Sequence, residues 1–153
     1  MKPSLFEQLQ AVAIDPTKLK PSPRHWNCGM LRYKNRLWLS YRYHLKQHAG
    51  RIATAIVEID QKTFQPIGKS QWLKFSGPTG DEHHEDARLF MFRDEPHISF
   101  TEMRGYKPGV DYTSVMKYAK LKLRGCKWEV EKVFHPRFGV NDGRAKEKNW
   151  VFF

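Results

Sequence analysis

The sequence predicts an all-β protein built from repeated, four-stranded antiparallel meanders. Short runs of alternating apolar and polar residues follow one another from about residue 26, and turn-forming residues separate them. The order of these runs then returns once, which is the mark of an internal repeat. A shift of 59 positions superimposes Leu39-Ser40-Tyr41 on Ile98-Ser99-Phe100 and Asn27 on Asp86.

Two fold types fit this pattern. Repeats of four short strands are typical of the blades of a β-propeller. A β-sandwich of two similar meanders would also have eight short strands with polar turns, so periodicity leaves this alternative open. As an incomplete propeller, the domain covers residues 26–153, with blades at 26–76 and 84–136 and the start of a third blade at 147–153. The second blade has a longer loop at about residues 104–111.

The first 25 residues form a lead-in to this domain. Leu5, Leu9 and Val12 recur at roughly helical spacing and predict a short helix over residues 4–13. Three prolines that follow favour an extended chain. Inside the first blade, Asn35-Arg36 is the expected turn between the first two strands.

Composition and charge narrow the class of protein. The 153 residues are 40% hydrophobic and 28% charged, which suffices for a core and differs from the composition of a disordered chain. Lys and Arg outnumber Asp and Glu by 27 to 16, giving a formal net charge of +11, and the surplus lies in residues 1–75. Such a field favours an anionic partner, although a basic solvated surface without a dedicated partner has the same composition.

The amino terminus and the number of cysteines indicate the cellular compartment of the protein. Residues 1–5 lack the apolar run of a signal peptide, and no apolar stretch is long enough to cross a membrane, so we expect a cytoplasmic protein without membrane contact. Cys28 and Cys126 are too few for a disulfide scaffold and lack metal-ligand spacing. We expect both to be free, buried thiols.

Four short motifs resemble one enzyme family. The second repeat opens with Glu85-Asp86-Ala87-Arg88, and the third with Lys148-Asn149. In the first repeat, Asn27 precedes the first strand and Tyr41-Arg42 ends the second. These residues resemble the five-bladed β-propeller glycosidases, most closely the β-mannoside phosphorylase and glycoside hydrolase family. Ala87 departs from that pattern, because the family has proline there.

The resemblance implies a carbohydrate-active protein that binds and cleaves a mannoside-like glycoside. Asp86 would be the general acid, and inorganic phosphate would be a co-substrate that attacks the sugar, with no other cofactor. The residues that would bind substrate are Asn27, Arg42, Glu85, Arg88, Lys148, Asn149 and Trp150. A five-bladed ring needs more blades than this sequence holds, so we expect a reduced relative of the family or a homodimer or higher oligomer that completes the ring.

Structural interpretations of the same residues stay open. Glu85-Asp86-Ala87-Arg88 could be a charged turn with a local Asp–Arg ion pair. Arg42 could be a strand residue with its stem packed on tyrosine, and Trp150 could belong to the core. The chain would then be a non-catalytic glycan-binding or vestigial propeller fragment.

Parts of the sequence also contain residues typical of two other site types. His83-His84-Glu85-Asp86 contains metal-ligating groups, but neighbouring residues of an extended chain point to opposite sides, so we expect no metal site. Residues 32–43 mix aromatic rings with cations, as single-strand nucleic-acid platforms do, which gives a second alternative function. Because alternation along a strand would send many of these rings to the core, we do not expect nucleic acid as the partner.

Overall fold

The computed structural model describes residues 14–15, 19, 25–45, 51–75, 83–104 and 113–136, and eight strands account for most of them. The first four strands form one antiparallel sheet in the order β1-β2-β3-β4, and the last four form a second in the order β5-β6-β7-β8. The all-β prediction is confirmed. The strands are β1 (His25–Tyr33), β2 (Arg36–Leu45), β3 (Arg51–Ile59), β4 (Pro66–Leu73), β5 (His83–Phe92), β6 (Glu95–Arg104), β7 (Thr113–Arg124) and β8 (Lys127–Phe134).

The two sheets repeat each other in backbone detail. Lys34 and Asn35 connect β1 to β2 with φ angles of 50° and 59°, and Arg93 and Asp94 connect β5 to β6 with 49° and 59°. Two consecutive positive φ angles are those of a type I′ hairpin turn. The predicted turn at Asn35-Arg36 was therefore displaced by one residue, because Arg36 already pairs in β2.

The two sheets stack with unlike faces in contact. On β2, Trp38 faces the second sheet, whereas Leu39 and Tyr41 lie on the opposite face and pack with Leu19 and Ile14. The second-sheet counterparts of Leu39 and Tyr41 face the first sheet, so unlike faces of the two repeats meet. This arrangement is typical of successive propeller blades. The core between the sheets consists of Trp38, Ile56, Leu73, Phe75, Ala87, Leu89, Ile98, Phe100, Ala119, Leu121 and Trp128.

Three predicted elements lie wholly or mostly outside the residues that the structure describes. They are the helix over residues 4–13, most of the loop at 104–111 and the third-blade start at 147–153.

The expectation of buried thiols was wrong: Cys28 and Cys126 are both free and exposed. Cys28 lies in the irregular part of β1, and Cys126 lies in the turn between β7 and β8, and neither position belongs to the core. In the described part of the chain, no helix has the length and apolarity needed to span a membrane.

Candidate functional site

We call β1 and β5, the first strand of each sheet, the inner strands. Each carries a β-bulge near its beginning. The register of β1 with β2 shifts between Trp26 and Gly29, and that of β5 with β6 shifts between Glu85 and Arg88. Within these bulges Asn27 has a φ of 54° and Asp86 a φ of 57°. Asn and Asp are the non-glycine residues that adopt this left-handed conformation most readily. A β-bulge interrupts the regular alternation of side chains between the two faces of a sheet. The side chains of Asn27 and Asp86 therefore point away from both faces.

The bulges bring four of the sequence-predicted residues together. Asn27 Nδ2 donates a hydrogen bond to Asp86 Oδ1 across the two sheets. Arg42, near the end of β2, places Nη1 3.6 Å from Asp86 Oδ1 and 3.5 Å from Glu85 Oε2. The side chains of Arg42, Glu85 and Asp86 are only 10, 13 and 16% exposed. We call Asn27, Arg42, Glu85 and Asp86 the bulge cluster.

The bulge cluster combines one cation with two carboxylates and an amide. Because all three charged side chains are largely shielded from water, their mutual attraction is stronger than that of a surface ion pair. The same groups offer both donors and acceptors at one end of the inner strands. Such a set can bind the hydroxyl groups of a sugar, and a carboxyl group in it can transfer a proton.

A buried serine ties the two bulges together. Ser40, on β2, places Oγ 3.1 Å from the carbonyl oxygen of Ala87 and 3.3 Å from that of Gly29. Gly29 allows this approach, since a Cβ built there would lie 2.9 Å from the Cα of Arg88. Sequence reasoning did not include Ser40 or Gly29 in the site. The coincidence of Ser40 with Ser99 under the 59-residue shift was the available clue.

Two buried histidines adjoin the cluster on β5. Ile52 donates its backbone N–H to Nδ1 of His83 over 3.4 Å. The His84 ring packs edge-on against Phe75 and Phe100, at centroid distances of 4.9 and 5.0 Å. This burial lowers the pKa of His84 to about 4, so the ring is neutral at physiological pH. His84 therefore extends the core rather than adding a charge to the cluster.

The remaining predicted residues lie elsewhere. Arg88 is exposed and makes no ion pair within the described chain; Arg42 makes the contact with Asp86 that a local Asp–Arg pair would have made. Lys148, Asn149 and Trp150 lie outside the described residues. Among the residues that the structure describes, no group of three or more metal-ligating side chains could hold an ion.

Most aromatic rings of the nucleic-acid alternative are core residues. Trp38, Tyr41 and Tyr43 are buried and present no free face on which a base could stack, and the fourth ring, Tyr33, is half-buried and packs against the core. Arg36 and Arg42 are held in ion pairs with Glu58 and Glu85. These two arginines and the buried rings therefore contribute to the packing of the sheets.

The chain was also compared with known proteins. No family model, curated protein or solved structure matches it. The likeness to propeller glycosidases therefore rests on the motif residues themselves.

Proposed function

We propose that the bulge cluster binds a carbohydrate and that Asp86 acts as a general acid on its glycosidic bond. The observation that carries the proposal is the pair of matched bulges, which direct Asn27 and Asp86 towards each other beside Arg42 and Glu85. Backbone strain of this kind concentrates at functional sites, and bulges are frequent beside active sites. A mannoside is the substrate class that the motif residues favour.

The proposed cleavage needs one proton donor and one nucleophile. The Asp86 carboxyl proton moves to the glycosidic oxygen as the bond from that oxygen to the anomeric carbon breaks. An oxygen of inorganic phosphate bonds to the anomeric carbon and gives a sugar 1-phosphate; water in its place gives the free sugar. Arg42, which contacts Asp86, and the exposed Arg88, two residues further along β5, are the candidate cations for holding the phosphate, and the family resemblance would add Lys148.

A second candidate is glycan binding without cleavage. The contacts of Asp86 favour it, since Oδ1 already accepts from Asn27 and lies 3.6 Å from Arg42. A carboxylate held in this way is a good acceptor for sugar hydroxyls. In this candidate the bulge cluster recognises the sugar and the glycosidic bond stays intact.

Product analysis with β-mannobiose tests both candidates. The chain is incubated with the disaccharide, with and without phosphate, and mannose and mannose 1-phosphate are quantified. Turnover that disappears in Asp86→Asn but persists in the matched variant Asp94→Asn supports the catalytic proposal, because Asp94 lies in the hairpin turn at the other end of β5. Unchanged turnover in Asp86→Asn would remove Asp86 from its role. Saturable mannobiose binding by calorimetry without products supports the binding candidate, and absence of both contradicts the two.

We also propose that further copies of the chain complete the ring around this site. Met30 and Met91, on the two inner strands, remain 49% and 40% exposed, which leaves apolar surface for a partner. Light scattering on a sizing column at several concentrations gives the native mass. A stable dimer or higher oligomer supports ring completion, and a monomer at all concentrations rejects it.

A further inference from the structure

The turns within the strand pairs β1–β2, β3–β4, β5–β6 and β7–β8 all lie at the end of the sheets opposite the bulge cluster. In an antiparallel sheet whose strands follow in chain order, every second connection lies at the same end. Arg36, beside the first of these turns, donates from Nη1 to the carbonyl oxygen of Gly125 in the last, over 3.0 Å, so the turn ends of the two sheets meet. We call residues 32–36, 58–69, 91–95 and 120–131 the turn face.

Each of these turns carries an exposed cation without an acidic partner. None of these side chains forms an ion pair with any residue that the structure describes. They are Lys34, Lys62, Arg93 and Lys127, one from each turn in chain order. Lys127 is the first residue of β8 and directly follows its turn.

The acidic side chains of the turn face are mostly engaged within the protein. Asp60 accepts the backbone N–H groups of Lys62 and Thr63, at 2.9 and 2.7 Å. The glutamates lie in ion pairs, which are Glu58 with Arg36, Glu95 with Lys120, Glu129 with Arg124 and Glu131 with Lys120 and Lys122. The turn face holds ten Lys and Arg residues against six Asp and Glu residues, so its charge is positive.

Apolar side chains stay exposed beside these cations. Phe92 directly precedes the turn that contains Arg93 and is 44% exposed, and Ile67, the second residue of β4, is 47% exposed. The Arg93 guanidinium lies 5.2 Å from the centroid of the Phe92 ring, so charge and apolar surface meet at one turn. Exposed apolar surface with a polar rim is typical of a site that contacts a protein or a membrane.

We propose that the turn face binds the surface of a membrane that contains anionic lipids. The anionic headgroups pair with the cations of the turns, and Phe92 and Ile67 enter the boundary between headgroups and acyl chains. A nucleic-acid backbone or an acidic polysaccharide would pair with the cations but leave these apolar side chains in water, so the combination favours lipid. This contact needs no segment that crosses the bilayer, and it is independent of the bulge cluster at the other end of the sheets.

Vesicle sedimentation tests the role of charge. The chain is mixed with vesicles of phosphatidylcholine that contain about 30% phosphatidylserine, and separately with vesicles of phosphatidylcholine alone. Each lysine near an anionic surface contributes about fivefold to the partition coefficient, so Lys62→Gln/Lys127→Gln should lower it by about 25-fold.

Lys74→Gln/Lys132→Gln is the matched control. It removes the same charge from exposed positions outside the turn face, one in each repeat, and screening by salt should limit its effect to less than about threefold. Equal losses in the two double variants would overturn the proposal, because attraction by the net charge of +11 would then explain the binding. Equal binding to the two kinds of vesicle would also overturn it.

Substitutions of Phe92 test the apolar part of the contact. Phe92→Ser should lower the partition coefficient by about tenfold, because the exposed part of the ring is then missing from the lipid. Phe92→Leu retains an apolar side chain and should stay within about threefold of the wild type. Unchanged binding in Phe92→Ser would overturn the lipid contact and would indicate a purely electrostatic surface for a polyanion such as a nucleic acid.

Discussion

The two inner strands, β1 and β5, share a backbone and differ in their surroundings. Each has a bulge with one residue in the left-handed region, and each ends in a hairpin turn with two positive φ angles. Yet β1 leaves Cys28 and Met30 exposed, whereas β5 buries His84 and Leu89 against the first sheet. The repeat therefore determines the course of the chain, and the position of each strand between the sheets determines which side chains it tolerates.

Gly29 and Arg88 show this most directly, because they occupy equivalent positions after the two bulges. At Gly29 the two inner strands come so close that a Cβ would meet the backbone of β5. At Arg88 the side chain is exposed, so a long residue is accommodated. Equivalent backbone positions therefore have opposite side-chain requirements.

The largest expected effect concerns His84, which is buried on β5. Burial against Phe75 and Phe100 lowers its pKa from 6.5 to about 4, so between these values the unfolded chain binds the proton and the folded chain does not. Stability from the neutral ring is therefore complete above about pH 6.5, decreases as the pH falls towards 4, and changes no further below that. A shift of this size corresponds to about 3 kcal/mol.

Urea unfolding at pH 7 and at pH 4.5 measures this dependence. Other groups also titrate in this range, so the quantity of interest is the difference between the wild-type chain and His84→Phe. Phenylalanine preserves the edge-on ring packing and cannot be protonated. We expect the variant to lose much less stability between the two pH values, and equal losses in both chains would contradict the buried, neutral histidine.

Gly29→Ala should give the next largest effect. Its Cβ would lie 2.9 Å from the Cα of Arg88 and 3.1 Å from the backbone nitrogen of Leu89, and neither backbone atom can yield without moving β5. Overpacking of this kind costs about 1–3 kcal/mol. Thermal unfolding would show it as a lower Tm.

Arg88→Ala is the matched control for that variant. It changes the equivalent position of the second sheet, where the side chain is exposed, and we expect an effect within about 0.5 kcal/mol. Equal destabilisation by the two substitutions would show that the inner strands do not approach as closely as the structure indicates.

The sequence predicts the repeated backbone better than the contacts between repeats. The alignment of Asn27 with Asp86 at a shift of 59 residues places both in bulges, because equivalent backbone positions follow from one repeat. The turn was misplaced by one residue because Lys34 is not a usual residue for a positive φ. Contacts such as that of Ser40 with Ala87 depend on how one sheet lies on the other, and a repeat pattern contains no information about that distance.

Ser40 and Ser99 provide a smaller, more specific comparison. The hydroxyl of Ser40 reaches carbonyl oxygens in both inner strands, at 3.3 and 3.1 Å, whereas that of Ser99 reaches the Arg88 carbonyl oxygen in its own sheet at 3.5 Å. Ser40→Ala leaves a buried carbonyl of the other sheet without this donor, at a cost of about 1–2 kcal/mol. Ser99→Ala should cost less than half as much by urea unfolding. If the two variants are equally unstable, the bond across the sheets contributes nothing specific.

The smallest net effect is expected when the two bulge residues are exchanged. Asn27→Asp alone places two carboxylates side by side, and Asp86→Asn alone leaves Arg42 with one carboxylate partner fewer. The double variant restores an amide opposite a carboxylate, so its stability should return to within about 1 kcal/mol of the wild type, with a favourable coupling between the two substitutions. A double-mutant cycle by urea unfolding measures that coupling.

The double variant also distinguishes a purely structural role of the two bulges from a role in carbohydrate binding or turnover. If the bulges serve only to hold the sheets together, the exchange is silent in every assay, including mannobiose binding. If β5 carries the chemistry, the exchange preserves stability but moves the carboxylate away from Glu85 to the other strand, and binding or turnover is lost. A stable double variant that retains full carbohydrate activity would therefore contradict the role of Asp86, and the asymmetry between β1 and β5 would then end at their packing.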